Sequence, residues 1–201
     1  MTVDSPSSDA FGSSAPNGGA RSSKGLHSAD VRLARAIAKG DRDAAAELIE
    51  RLQGRTRNLV RYLVRGDQDV DDFAQNALME VLRSVHTYRG VASLEHWSSR
   101  IVTRHVRAAL ARRARYESQK QDIGPSLRLL RPSRSEYGAR RDVARALDGL
   151  PDAQREALVL FHVVGMTLKE VAKETGVAEN TAKSRIRLAM DKVRGALASA
   201  G

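Results

Sequence analysis

Apolar residues recur three and four apart along most of this chain, a spacing that predicts an all-α protein. From Ala29 the run VRLARAIAKG reads as a first helix ended by Gly40, and Asp41 caps a second that carries Ala44, Leu48, Leu52, Leu59 and Leu63 on one face. A third helix follows Asp69, its predicted cap, with Val70, Phe73, Ala74, Ala77, Leu78, Val81, Leu82 and Val85 turned inward. Its outer face presents Asp72, Gln75, Asn76 and Met79. Ser93 caps a long fourth helix to Arg115, whose buried edge is read as Leu94, Trp97, Ile101 and Ala108. The pattern then lapses until Gly138, where a helix through Val143, Ala146 and Leu147 begins; another follows Pro151 through Ala157, Leu158, Leu160 and Phe161 to Gly165.

The most specific stretch is Thr167 to Leu197. Thr167 and Glu170 have the spacing of a capping box, Val171 and Ala172 give a short helix its apolar face, and Gly176 stands where the chain must turn sharply. Val177 resumes burial, and from Glu179 a longer helix buries Ala182, Ile186, Ala189, Val193 and Leu197. Its opposite flank carries Asn180, Lys183, Ser184 and Arg187 at i, i+3, i+4 and i+7, with Thr181 and Arg185 beside them. An amide, an ammonium, a hydroxyl and a guanidinium in one stripe suit base edges and phosphates in a major groove, so the unit is a helix-turn-helix. Ala178 replaces the expected polar cap, which leaves the first amides of that helix to water or phosphate.

Charge sharpens this picture. Lys and Arg number 34 against 24 Asp and Glu, a formal net charge of +10, which favours a polyanionic partner. On the fourth helix Arg100, Arg104 and Arg107 recur at i, i+4 and i+7, with Arg112, Arg113 and Arg115 extending the positive run. Like charges stacked so closely repel, and a phosphate backbone is the natural counterweight. Tyr88, Arg89 and Gly90 lead toward Trp97, placing aromatic rings beside that basic helix, as unstacked bases require, although the spacing of Trp97 also suits a core residue. Residues 1–28 are rich in Ser, Gly, Ala and Pro, with Phe11 and Leu26 their main apolar groups, and read as a disordered tail. Residues 116–137, with Gly124, Pro125, Pro132, Arg128, Arg131 and Arg134, read as a flexible linker between two small helical domains, 29–115 and 138–201.

Catalytic and metal chemistry find no footing in the pattern. Asp67, Asp69, Asp71 and Asp72 suggest a calcium loop, but Asp72 and Leu78 occupy the places of its glycine and terminal glutamate. His27, His86, His96, His105 and His162 lack metal-ligand spacing, and no glycine-rich phosphate loop is present. No enzyme activity, cofactor or small-molecule substrate is therefore expected. No apolar run reaches a membrane span and the chain has no Cys, so a cytoplasmic protein without membrane insertion is expected.

The order of these parts resembles a bacterial sigma factor of RNA polymerase, of the small extracytoplasmic-function class that retains the second and fourth conserved regions. DVDDFAQNALMEVL looks like the second-region helix, TYRG and LEHWSSRI like the segment that melts and captures the minus-ten element, and LDGLPDAQREALVLFHVVGMTLKEVAKETGVAENTAKSRIRLA like the fourth region. The resemblance implies that Asp69, Asp72 and Gln75 contact the coiled coil of the polymerase's largest subunit, with the second domain on the flap of the next largest. It implies minus-ten contacts by Tyr88, Trp97, Arg100, Arg104 and Arg107, and minus-thirty-five contacts by Asn180, Thr181, Lys183, Ser184, Arg185 and Arg187. Core RNA polymerase, promoter DNA and an anti-sigma factor are the implied partners. Arg104 stands where the family usually has Asn, Ser98 where it has Leu, and Leu188 and Met190 flank Ala189 where Arg is common. The competing readings are a free-standing operator-binding regulator, which needs neither the acidic helix nor the arginine stripe, and an interaction protein that borrows the fold.

Overall fold

The computed structural model describes residues 27–64, 68–119 and 138–199, so most of the predicted tail and most of the predicted linker lie outside the described residues. Among the described residues eight α-helices follow in order: α1 (Ser28–Ala38), α2 (Arg42–Leu63), α3 (Val70–Ser84), α4 (Leu94–Gln119), α5 (Gly138–Asp148), α6 (Asp152–His162), α7 (Leu168–Thr175) and α8 (Glu179–Ala198). A 3-10 turn, Val85–Thr87, leads out of α3. The helix α4 runs past Arg115, so residues 116–119 are helical rather than linker.

Local chemistry explains most helix ends. The Asp41 carboxylate accepts the Asp43 and Ala44 amides, both at 3.0 Å, and Ser93 Oγ accepts the His96 amide at 3.2 Å. Asp69 occupies the N-cap position of α3, as predicted, but its side chain makes no capping bond. Its carboxylate pairs instead with Arg113 of α4, which ties the two helices together where the sequence predicts only a local bond.

The first half packs α2, α3 and α4 against one another with α1 laid across α2. Leu48, Leu52, Leu59 and Val60 of α2 meet Val70, Ala77 and Val81 of α3. The α4 face differs from the expected one. Leu94, Ser98, Val102 and Val106 are buried, Trp97 and Ile101 are half-buried, and Ala108 is exposed. Small hydroxyl residues fill this face because their donors are satisfied within the helix: Ser99 Oγ donates to the Glu95 carbonyl at 2.7 Å and Thr103 Oγ1 to the Ser99 carbonyl at 2.8 Å. That lets α4 approach α2 closely without stranding a polar atom.

The second half sets α6 and α7 against α8, with α5 completing the cluster. Leu147, Leu160, Val171, Ala172, Ala182 and Ala189 form its centre. Leu197 is 37% exposed, so the apolar face of α8 ends at Val193 and the last turn projects beyond the body. The two halves meet where α2 lies against α5 and α6.

One buried carboxylate organises the first half. Asp30, 6% exposed, accepts the Arg51 guanidinium at 2.8 Å and the Leu94 amide at 3.1 Å, with the Tyr88 hydroxyl at 3.5 Å. It thereby joins α1, α2 and the start of α4. Burial pushes its pKa up, but the Leu94 amide and the Arg51 guanidinium outweigh burial and hold it below 3.8. Its contribution to stability is therefore present above pH 3.8 and is lost as pH falls through the lowered value. Asp30→Asn should cost about 1.5–3 kcal/mol, the worth of hydrogen bonds to a charged group, measured by urea unfolding at pH 7. A loss under about 0.5 kcal/mol would remove Asp30 from this role.

Candidate nucleic-acid interface

The helix-turn-helix is built as its sequence spacing predicts. Thr167 Oγ1 accepts the Glu170 amide at 3.3 Å while Glu170 Oε2 accepts the Thr167 amide at 2.9 Å, closing the capping box. Gly176 ends α7 in the left-handed region, φ 68° and ψ 31°, a conformation that a side chain would strain. Buried Val171 and Ala172 then seat α7 beside Ala182 and Ala189 of α8. Asn180, Thr181, Lys183, Ser184 and Arg187 are all exposed and Arg185 is half-exposed, so the predicted stripe faces solvent as one surface. Ala178 supplies no side-chain cap, leaving the N-terminal amides of α8 open to an anion. Leu188, 45% exposed, widens the same surface with an apolar group.

The arginine stripe of α4 has a different fate. Arg104 is exposed, but Arg100 donates to Glu170 Oε1 at 2.7 Å and through Nε to His96 Nε2 at 3.2 Å. Arg107 donates to Glu174 Oε1 at 2.7 Å, to the Glu174 carbonyl at 2.9 Å, and to Glu156. The repulsion expected of the stripe is thus offset by acids of α6 and α7, from within the chain. Sequence reasoning missed Glu156, Glu170 and Glu174 in this role; the only signal was the i, i+4 spacing of Glu170 and Glu174 on a short helix.

Tyr88 is not a stacking platform. It is buried at 8% exposure, its hydroxyl donates to the Ala92 carbonyl at 2.7 Å, and its ring meets Trp97 edge-on at 5.3 Å and 62°. Burial and the neighbouring Asp30 charge push its pKa up to about 12. It props the loop before α4 from beneath. Trp97 is half-buried, and the same edge contact joins it to the core.

On α3 the outer face is as expected: Asp72, Gln75, Asn76 and Met79 are exposed together. Asp69 stands apart from them, since Arg113 draws it toward α4. Among the described residues no group of three His, Cys, Asp or Glu is placed to hold a metal, and no helix is long and apolar enough to cross a membrane.

Comparison with known proteins adds an independent finding. Residues 48–116 match the family profile Sigma-70 region 2, and residues 140–193 match Sigma-70, region 4. The chain is 32% identical over 160 residues to the ECF RNA polymerase sigma factor SigM of Mycobacterium tuberculosis, covering 78% of each protein. It is 26% identical over 177 residues to the ECF RNA polymerase sigma-E factor of Escherichia coli K12, covering 82% of this chain and 92% of that one. In fold it is similar to the sigma factor RpoE solved in complex with the anti-sigma factor NepR from Bartonella quintana: TM-score 0.57, 20% identity, 76% of this chain and 95% of that one. CnrH, solved with the cytosolic domain of CnrY, matches with TM-score 0.53 and 24% identity over 86% of this chain and 99% of that one.

The contact around His96 carries a pH dependence. Burial, then the Arg100 charge, hold its pKa below 6.5, with Arg55 of α2 acting the same way and Glu170 of α7 opposing. The folded chain then binds fewer protons than the unfolded one between the lowered value and pH 6.5, so acidification through that window costs stability. An NMR titration of the His96 ring should give a midpoint below 6.5, and His96→Gln should reduce the slope of unfolding free energy against pH between 7 and 5. A midpoint at or above 6.5 would contradict the assignment.

Proposed function

Since this chain belongs to the sigma-70 family, in its extracytoplasmic-function class, we propose that it binds core RNA polymerase and directs the enzyme to promoters at which transcription then initiates. The observation that carries this reading is the pairing of two family regions in order, each of which presents an exposed face suited to its role. The chain supplies recognition, and the bond-forming chemistry of RNA synthesis belongs to the polymerase. A lone operator-binding regulator is not favoured, because it has no use for the second-region match over residues 48–116.

In this reading residues 29–115 and 138–201 act as the two functional units. Asp72 and Gln75, with Asn76 and Met79 beside them, supply the docking face on α3, and Asp69 fixes that helix against α4. The α8 stripe enters the major groove of the upstream element, with the Asn180 amide suited to an adenine edge and Arg187 to guanine or phosphate. Arg100, Arg104 and Arg107 offer phosphate contacts at the downstream element, where opened bases are captured. Binding energy drives the melting, since each base stacked on protein returns about 1–3 kcal/mol against the cost of unstacking it. A chain that acts on promoter DNA works in the cytoplasm, and an anti-sigma protein is proposed as its regulator, as RpoE and CnrH are each held by a partner in their complexes.

Transcription of fragmented genomic DNA by core polymerase, with and without the chain, should yield new RNA starts that share two upstream motifs. An unchanged set of starts would overturn the proposal. Replacing Asp72 and Gln75 together by Lys should abolish co-elution with core enzyme while leaving the thermal unfolding midpoint within about 2 °C, since both sites are exposed. Arg187→Ala should weaken promoter binding by about 1–3 kcal/mol if it reads a base, or lower the salt slope by about one if it holds a phosphate. Unchanged affinity and slope would place it off the DNA.

A further inference from the structure

We propose that α1 is a positioning element for downstream reading: Asp30 and Val31 hold the loop of residues 88–93 preformed, so that its tip meets the opened strand without first having to be ordered. This role deepens the sigma-factor reading and rests on it, since that reading puts the loop at the downstream element.

The loop leaves the 3-10 turn at Tyr88 and enters α4 at Leu94, and α1 packs against that turn. At the far end of the loop Asp30 Oδ2 accepts the Leu94 amide at 3.1 Å while Oδ1 holds Arg51 at 2.8 Å, and Arg51 in turn donates to Glu95 at 2.6 Å. Across its base the Tyr88 hydroxyl donates to the Ala92 carbonyl at 2.7 Å. In its middle Gly90 turns through φ 71°, and a Cβ there would stand 2.6 Å from Val31 Cγ2, too close for any side chain at that position. Val31 cannot swing aside cheaply, because a β-branched residue in a helix keeps essentially one rotamer. The backbone of the loop therefore lies directly on α1.

What the clamp leaves free is the tip. Arg89 is exposed, and Val91 is 81% exposed, more than any other large apolar side chain among the described residues. An apolar group that packs on no part of the protein can lie against an unstacked base, with the guanidinium beside it on a phosphate. Fixing that tip in advance removes an ordering cost from the encounter, and each backbone residue that must be ordered on binding costs roughly tenfold in affinity.

The test uses the full chain with core polymerase, on a promoter taken from the start-site mapping above, with each downstream position randomised in turn and the transcripts sequenced. Gly90→Asn is the probe, because Asn tolerates a left-handed backbone better than most side chains and the clash with Val31 then dominates. It should flatten the downstream base preferences and weaken binding of a fluorescein-labelled single strand carrying that element about tenfold, while preferences at the upstream element stay as in the parent. Gly40→Asn, at φ 92° with nothing within 4 Å of the added Cβ, is the control and should change neither. Val31→Ala removes the clashing methyl, so Gly90→Asn combined with it should return to within about threefold of Val31→Ala alone. Asp30→Asn, which gives up the charge held by Arg51, should flatten the same downstream preferences at a temperature where the chain remains folded. Unchanged downstream preferences in Gly90→Asn, or no rescue by Val31→Ala, would overturn the clamp and leave the sigma-factor reading intact. Losses at both elements together would reveal plain destabilisation and overturn it as well. An absence of new starts with the parent chain would overturn the reading beneath the clamp, and the clamp with it.

Discussion

Three guanidiniums within two turns of one helix are a debt that some anion must settle, and the arrangement of this chain follows from how Arg100, Arg104 and Arg107 are offset. On an isolated α4 each neighbour would destabilise the next by a few tenths of a kcal/mol. The second half of the chain answers with Glu156, Glu170 and Glu174, and in doing so it comes to rest against α4 and α2. Arg104 alone of the three stays exposed. The pairs that neutralise Arg100 and Arg107 lie part-exposed, so they weaken as salt rises.

The Asp30 site shows what a permanent charge contact looks like in the same molecule. Asp30 is almost fully buried and receives a backbone amide as well as Arg51, so its loss would strand several groups at once. The glutamates of α6 and α7 that face α4 each keep more than a quarter of their surface in water and meet arginines that do the same. Contacts of the first kind cost a few kcal/mol to break, whereas those of the second are worth up to about 1 kcal/mol each. The fold uses the strong kind to fix the loop before α4 and the weak kind where two halves meet.

What could be read from the sequence was local. The caps at Asp41, Ser93 and Thr167, the left-handed Gly176 and the solvent-facing stripe on α8 depend on residues within a turn or two, and all stand as the spacing implies. What could not be read was decided at a distance. Asp69 has the position of a cap, but Arg113, far along the chain, offers its carboxylate a full charge. Tyr88 has the look of an exposed ring because nothing near it predicts that Asp30 and Ala92 will bury its hydroxyl. The buried edge of α4 was legible at Leu94 but not beyond it, because Ser98, Ser99 and Thr103 satisfy their own donors and so behave as small apolar groups. Likewise the partners of Arg100 and Arg107 sit some fifty to seventy residues away.

The helix-turn-helix consequently carries two tasks on separate faces. Glu170 closes the capping box that starts α7 and, with its remaining oxygen, holds Arg100; burial raises its pKa, but the Thr167 amide and the Arg100 guanidinium outweigh burial and keep it below 4.5. The carboxylate is therefore charged at any physiological pH, and its grip on Arg100 is governed by competing ions rather than by its own titration. The short helix that supports α8, the helix proposed to read DNA, is on its other side the piece that holds Arg100 and Arg107 through Glu170 and Glu174. Moving α6 and α7 together away from α4 uncovers Arg100 and Arg107 while the capping box, made wholly within α7 and its turn, stays closed. One rigid motion thus separates the acids from the arginines without unfolding the helix-turn-helix.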